Sequence, residues 1–392
     1  MEKKKLLILS DSPLIPTGYA TISKNIANRM TELGWEVHFM GHNYIGQKLL
    51  PPITFEDGEQ LNFRLSGMAN EQYCKDIIVP KIREFQPDIF LVLLDTFMVY
   101  PWFCEMDFAP AKTIFYFPSD GGGGMPLGCE NILTKVTVPV AMAKFGQKQV
   151  KECYNIDTKY IPHAANEKIY YPLSDNEKQL LKSKWGLQDK FVVGVVARNQ
   201  GRKMLDRTIK AFKIFAKDKP NAILLMHTDP IDRAAAVDLR NLIIREGIPN
   251  KVIFTGMTML TPFTNDQMRE VYNLMDVFLL TTSGEGFGIP IIEAMACEIP
   301  VVATDYTTTP ELVIENNAGL GAKVAAELTG SWNVERAVMD DNDCVEKLTY
   351  LYNNREEAKQ MGKNGREAVL KYYTWNIVMK QWSDLFEEMT DE

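Results

Sequence analysis

A chain of 392 residues, 46% of them apolar and 24% charged, indicates a globular protein long enough for two ordinary domains, each with its own core. Its net charge of −8 argues against bulk nucleic-acid affinity, and no apolar run approaches the roughly 18 to 20 residues that span a bilayer. Six cysteines without CxxC spacing and four histidines without a ligand pattern predict reduced thiols and no metal centre.

The chain opens on MEKKKLLILSDSP, whose apolar run Leu6 to Leu9 is too short for a signal core and stops at Ser10-Asp11. It reads as a first buried strand in a cytoplasmic protein. Ile22, Ile26, Met30 and Leu33 recur at helical spacing until Gly34, and Glu36 to Met40 alternates as the next strand. The connecting loop, SDSPLIPTG, lacks GxGxxG, yet in an open parallel sheet it lies at the ligand edge. Pro51 to Leu65 reads as a loop or edge hairpin. A helix ending near Phe85 leads to the strand Ile89 to Leu94, which stops at Asp95. After the strand Thr113 to Phe117 come Pro118-Ser119-Asp120 and four glycines, Gly121 to Gly124. Their large ordering cost predicts a mobile loop at a cleft. Lys135 to Val140 reads as a strand, and Tyr171 to Lys184 as a linker.

The alternation then repeats, with strands at Phe191 to Val196, Ala222 to Met226, Val252 to Thr255 and Val277 to Leu280. Arg198, Arg202 and Lys203 follow the first of these. Val277 to Val313 reads as strand, glycine loop, helix and parallel strand. Gly284, Gly286 and Gly288 remove side chains where a ligand approaches the backbone, and Pro290 suits a helix start whose free amides face an anion. Glu285 and Glu293 flank this turn. Carboxylates accept paired hydrogen bonds from vicinal hydroxyls, so the combination suggests a phosphorylated sugar donor. A capping role is the competing reading for Glu293. The tail from Asp343 to Met389 is amphipathic and helical, with Tyr372, Trp375 and Trp382 as anchors.

The stretch EGFGIPIIE from Glu285 to Glu293, followed by AMACEIPVVAT and Pro310-Glu311, resembles the E-x7-E signature of retaining glycosyltransferases of family 4. That resemblance implies a GT-B fold: an amino-terminal Rossmann-like acceptor-side domain (1–170), a carboxy-terminal nucleotide-sugar domain (171–371), and a helix (372–392) crossing back. It further implies transfer of a hexosyl group from a UDP- or GDP-sugar, with retention and without a metal or other cofactor. By the resemblance Glu285 lies against the transferred sugar and Glu293 holds the ribose. Arg198 and Lys203 neutralise the diphosphate, with Arg202 competing for the second role. Thr17 and Gly18, together with Ser283, Gly286, Phe287, Gly288 and Ile289, complete the donor site. Asp120, in a PSDG turn, either binds an acceptor hydroxyl or closes the turn. No histidine fits the slot many relatives fill near the sugar, and Asp95 or Asp120 stands nearest.

The acceptor is undefined by sequence. Between Lys135 and Lys219, 18 Lys and Arg stand against 8 Asp and Glu, a surplus that suits an anionic acceptor such as a lipid phosphate, an acidic glycan or a modified nucleic acid. Solvated surface explains the same surplus. An inactive nucleotide-sugar-binding protein, a sugar phosphorylase and an epimerase remain as alternative functions.

Overall fold

A computed structural model describes residues 3–54, 60–68, 70–232, 235–258 and 261–391. They form two α/β Rossmann-like domains that face each other across a cleft of about 1330 Å³. The first sheet is parallel throughout, with β1 (Lys5–Ser10), β2 (Glu36–Gly41), β3 (Arg64–Gly67), β4 (Ile89–Val92), β5 (Lys112–Phe117), β6 (Val138–Ala141) and β7 (Lys159–Tyr160) arranged in the order 3-2-1-4-5-6-7. Its central strands are apolar on both faces because helices cover both. The second sheet uses β8 (Phe191–Val196), β9 (Ala222–His227), β10 (Val252–Phe254), β11 (Val277–Leu280), β12 (Val301–Thr304) and β13 (Gly319–Ala322) in the order 10-9-8-11-12-13.

Both orders reverse beside their first strand, so each sheet has a switch point where neighbouring loops diverge and leave a crevice. In the first domain that point lies between β1 and β4. In the second it lies between β8 and β11, which puts the loop carrying Arg198 to Lys203 beside the loop Thr281 to Gly288.

Several local expectations need correction. The segment Cys129–Lys135 is helical, and the strand expected from Lys135 begins only at Val138. The expected linker contains the helix Asp175–Lys184, stabilised by a Ser174–Glu177 capping box and by burial of Leu181. Part of the Pro51 to Leu65 stretch lies outside the described residues; Ile53–Thr54 pairs antiparallel with Gln60–Leu61. A hairpin absent from the sequence reading, β14 (Val324–Thr329) and β15 (Glu335–Met339), follows the second sheet. Its first strand is mostly exposed and its second buries only Ala337 and Met339, so burial leaves little signal in the sequence there.

The chain crosses between domains twice, and the crossings touch: the Ala165 amide donates to the Tyr373 carbonyl at 2.8 Å. Beyond that point the final helix Trp375–Asp391 packs on the first domain. Trp382 is fully buried and meets Tyr116 edge-on at 4.9 Å, and Trp35 lies 5.6 Å from Phe386. Trp375 is buried as well, whereas Tyr372 is 43% exposed, with its ring against that of Tyr373.

Candidate active site in the interdomain cleft

The second domain's switch point is stitched before it is charged. Thr281 Oγ1 donates to the Met204 carbonyl (2.9 Å), Thr282 Oγ1 to the Arg202 carbonyl (3.2 Å), and the Ser283 amide to the same carbonyl (2.7 Å). These bonds fix the two loops in register, so the side chains at 202, 203 and 285 converge. Lys203 Nζ donates to both Glu285 oxygens, at 2.6 and 2.8 Å, and Arg202 reaches Oε2 at 3.1 Å. Burial alone would raise the Glu285 carboxyl. Lys203 and Arg202 outweigh it and hold the group well below its ordinary range, as a carboxylate. Burial and the neighbouring Arg202 lower Lys203, an effect its bond to Glu285 offsets in part.

Arg198 lines the same cleft but bonds elsewhere: its Nε meets Asp232 at 2.7 Å, and its side chain remains 39% exposed. The expected Arg198 and Lys203 pair is therefore divided, with Lys203 and Arg202 together on Glu285.

Helix Ile289–Ala296 opens at Gly288, whose φ of 103° is left-handed, with Pro290 in its first turn. Glu293 lies one turn inside, at the cleft wall. One of its oxygens accepts from the Tyr272 hydroxyl at 2.6 Å. Burial raises its carboxyl to about 7, with the Tyr272 and Tyr170 hydroxyls pulling in the opposite direction. The capping explanation fails here, because the carboxylate bonds a tyrosine and the N-cap is glycine. Phe287 is buried against His163, 4.9 Å between ring centroids, and Ile289 packs on the first domain's Gly18, where a Cβ would lie 3.3 Å from its Cδ1.

Two of the three glycines of this turn serve a purpose the sequence did not show. A Cβ on Gly284 would lie 2.0 Å from the Asp120 carbonyl oxygen, and one on Gly286 would lie 2.6 Å from Pro118 Cβ. Their small size admits the opposite domain's backbone. The four-glycine loop shows the same logic. Gly122 and Glu335 exchange both main-chain hydrogen bonds (3.0 and 2.8 Å), and Tyr306 Oη receives the Gly122 amide. A Cβ on Gly121 or Gly123 would strike Glu335 within 2.6 Å. The loop expected to be mobile is thus pinned to the second domain by hairpin β14–β15.

Asp120 neither closes its turn nor stands free for an acceptor. Arg336 from β15 donates to its Oδ1 at 2.9 Å and also to its main-chain carbonyl. Sequence reasoning missed Arg336, whose partner lies 216 positions away. Thr17 is committed too: it caps helix Gly18–Glu32 through the Ala20 amide (3.1 Å) and donates to Asp11 at 2.5 Å. Asp11 also meets His42 Nε2 at 2.7 Å, and Asp95 accepts from the Tyr19 hydroxyl at 2.8 Å. Burial and the nearby Asp120 raise the Asp95 carboxyl to about 6. His42, His163 and His227 all line the cleft, three of the four histidines. His163 and His227 are pushed by burial far toward the neutral form. Among the described residues no cluster of side chains suited to a metal ion is found, and no helix is long and apolar enough to cross a membrane.

Folding pairs six cations of the basic segment with acids from elsewhere in the chain. Lys144, Lys159, Lys182, Lys184, Arg207 and Lys213 pair with Glu315, Glu388, Asp276, Glu270, Asp341 and Glu246, all acids from outside it.

Residues 177–368 match the family model of glycosyl transferases group 1. The Staphylococcus aureus capsular polysaccharide biosynthesis glycosyltransferase CapM is 27% identical over 56% of this chain and 51% of its own length. The Streptococcus pneumoniae alpha-galactosylglucosyldiacylglycerol synthase is 26% identical over 58% and 54%. The chain spans about half the length of these curated relatives. Among solved structures, sucrose-phosphate synthase from Thermosynechococcus elongatus superposes with a TM-score of 0.77 over the whole of both chains at 16% identity. Anabaena HepE in complex with UDP-glucose gives 0.75 over 98% of this chain and 99% of its own, at 15% identity. The fold is that of GT-B structures, and the residues that match the glycosyl transferases group 1 model hold the Glu285 cluster and Glu293.

Proposed function

We propose that the protein transfers a hexosyl group from a UDP- or GDP-sugar to an acceptor hydroxyl, with retention at the anomeric carbon and without a metal. The observation that carries this reading is the Glu285 carboxylate, held ionised by Lys203 and Arg202 in the cleft beside the start of helix Ile289–Ala296. A carboxylate fixed there accepts hydroxyls of the transferred sugar and stabilises positive charge growing at its anomeric carbon. The leaving diphosphate meets the amides at the helix start, Lys203, Arg202 and an Arg198 that can leave Asp232. These cations supply charge that a divalent ion supplies elsewhere. Glu293 holds the ribose, and its position one turn behind the glycine loop supports that role.

The relatives named above act on, or were solved with, glycosyl compounds, which favours transfer over the phosphorylase, epimerase and inactive readings. The test is release of UDP or GDP from a panel of nucleotide sugars, with and without a chelator, and NMR assignment of the product anomer. Release that the chelator leaves intact, with the donor's configuration kept, is expected. An inverted product, or consumption of inorganic phosphate in place of the nucleotide, would overturn it.

A further inference from the structure

Glu285 is gripped at its carboxylate, yet its peptide stands between Gly284 and Gly286, residues with the widest choice of backbone angles. Lys203 and Arg202 secure the far end of the side chain. The near end is secured from elsewhere: the buried Glu285 amide donates to Thr307 Oγ1 at 3.0 Å. Thr307 belongs to the loop after β12, so a third loop of the second domain joins the two that meet at the switch point.

Thr307 reaches that amide from a strained backbone. Its φ of 48° lies in the left-handed region, which β-branched residues rarely occupy and glycine enters freely. Neighbouring bonds impose the turn. The Tyr306 amide donates to the Thr304 carbonyl at 2.7 Å, the Thr309 amide to the Tyr306 carbonyl at 3.2 Å, and the Tyr306 hydroxyl to the Glu335 carbonyl at 3.0 Å. Thr307 is itself buried, at 6% exposure. A glycine would relieve this backbone but would bring no hydroxyl. Strain kept at a buried position beside a charged cluster points to a task for the side chain that causes it.

We propose that Thr307 is a positioning residue, whose hydroxyl fixes the Glu285 peptide so that the carboxylate faces the transferred sugar in one orientation. The inference rests on the transferase reading for the sugar. A carboxylate that stabilises charge growing in the transition state works from a fixed place, because turning it during the reaction forfeits the gain from preorganisation. Lys203 and Arg202 set only the tip of a side chain whose root can pivot between two glycines. Without Thr307 Oγ1 the buried amide also lacks an acceptor, which favours a peptide turned toward some other partner.

Three variants separate the hydroxyl from the shape. T307V keeps the branch and removes the acceptor, T307S keeps the acceptor and removes a methyl, and T307G removes both while relaxing the backbone. Thermal denaturation first shows which are folded, and T307G stands in if T307V is not. Residue-resolved amide hydrogen exchange on the full chain reads the Glu285 amide without turnover. Exchange there is expected to quicken about tenfold or more in T307V and T307G and to change less than about threefold in T307S. In transfer assays kcat is expected to fall about tenfold or more in T307V and T307G and less than about threefold in T307S. Affinity for UDP or GDP should change less than about threefold in all three, because the nucleotide alone carries no transferred sugar. Wild-type exchange or turnover in T307V and T307G, a T307S variant that falls with them, or nucleotide affinity dropping in step with kcat would each overturn the positioning role. If the wild-type chain releases no nucleotide from any sugar donor, the transferase reading fails instead, and exchange at Glu285 alone decides whether Thr307 fixes that peptide.

Discussion

Lys203 grips both oxygens of Glu285 from a loop 82 positions earlier, with both side chains nearly sealed from water. Two loops from one switch point thus share a single charge pair. Removing either partner leaves the other buried with less counter-charge.

Stability responds first. K203M is expected to cost about 3 kcal/mol, the low end for a broken buried pair because Arg202 still touches Glu285. Urea denaturation measures it, and the double variant K203M/E285Q should recover part of the loss. Additive losses in the double variant would show that the pair is not coupled.

Nucleotide affinity should depend on pH through Glu293. Its carboxyl titrates near 7 in the fold, so the ribose-accepting carboxylate is depleted below neutrality and complete above it. Affinity for the preferred nucleoside diphosphate is expected to rise from pH 6 to pH 8, and E293Q should flatten the profile while weakening binding by about 1.5 to 3 kcal/mol. Y272F removes a bond that favours the ionised form and should move the midpoint upward. The stability contribution has the opposite sign. A carboxyl raised from 4.5 to about 7 favours the folded state fully below 4.5, and this is lost as pH rises through 7. Isothermal titration across pH decides the first point, and a flat wild-type profile refutes it.

Domain closure should fail at single glycines. In G284A the new methyl would fall 2.0 Å from the Asp120 carbonyl oxygen, on backbone that cannot swing aside as a side chain would. The expected outcome is a larger radius of gyration by small-angle scattering, with the second domain still folded. An unchanged radius would mean the two domains yield at this contact more easily than the geometry implies.

Arg336 offers a milder perturbation. R336A should cost about 1 kcal/mol, since its bonds to Asp120 are charge-assisted but partly open to solvent. Amide exchange at Gly121 to Gly124 should quicken in the same variant. Unaltered exchange there would mean that the main-chain bridge holds the loop without help from the ion pair.

What the sequence made legible was what its neighbours in the chain decide. Buried strands, the glycine turn, and the spacing of Glu285 and Glu293 all show in short windows. Residues whose roles come from partners far along the chain did not. Four glycines in a row predict a loose loop because ordering them is costly, and only Glu335 across the cleft reveals what offsets that cost. Arg336 and Trp332 sit in a hairpin whose first strand is mostly exposed and whose second buries only Ala337 and Met339, too little to mark it in the sequence. Asp11 and His42 meet only because β1 and β2 are paired in register, Ser10 beside Gly41.

The bridge between Gly122 and Glu335 has a mechanical consequence. Both of its bonds run from main chain to main chain, so the clasp is indifferent to which side chain stands at 335, proline apart, and insensitive to ionic strength. The Arg336–Asp120 pair beside it is partly exposed and weakens with salt. Raising salt therefore loosens one fastener and spares the other, so the cleft can soften toward its ligands while the hairpin stays threaded to the glycine loop.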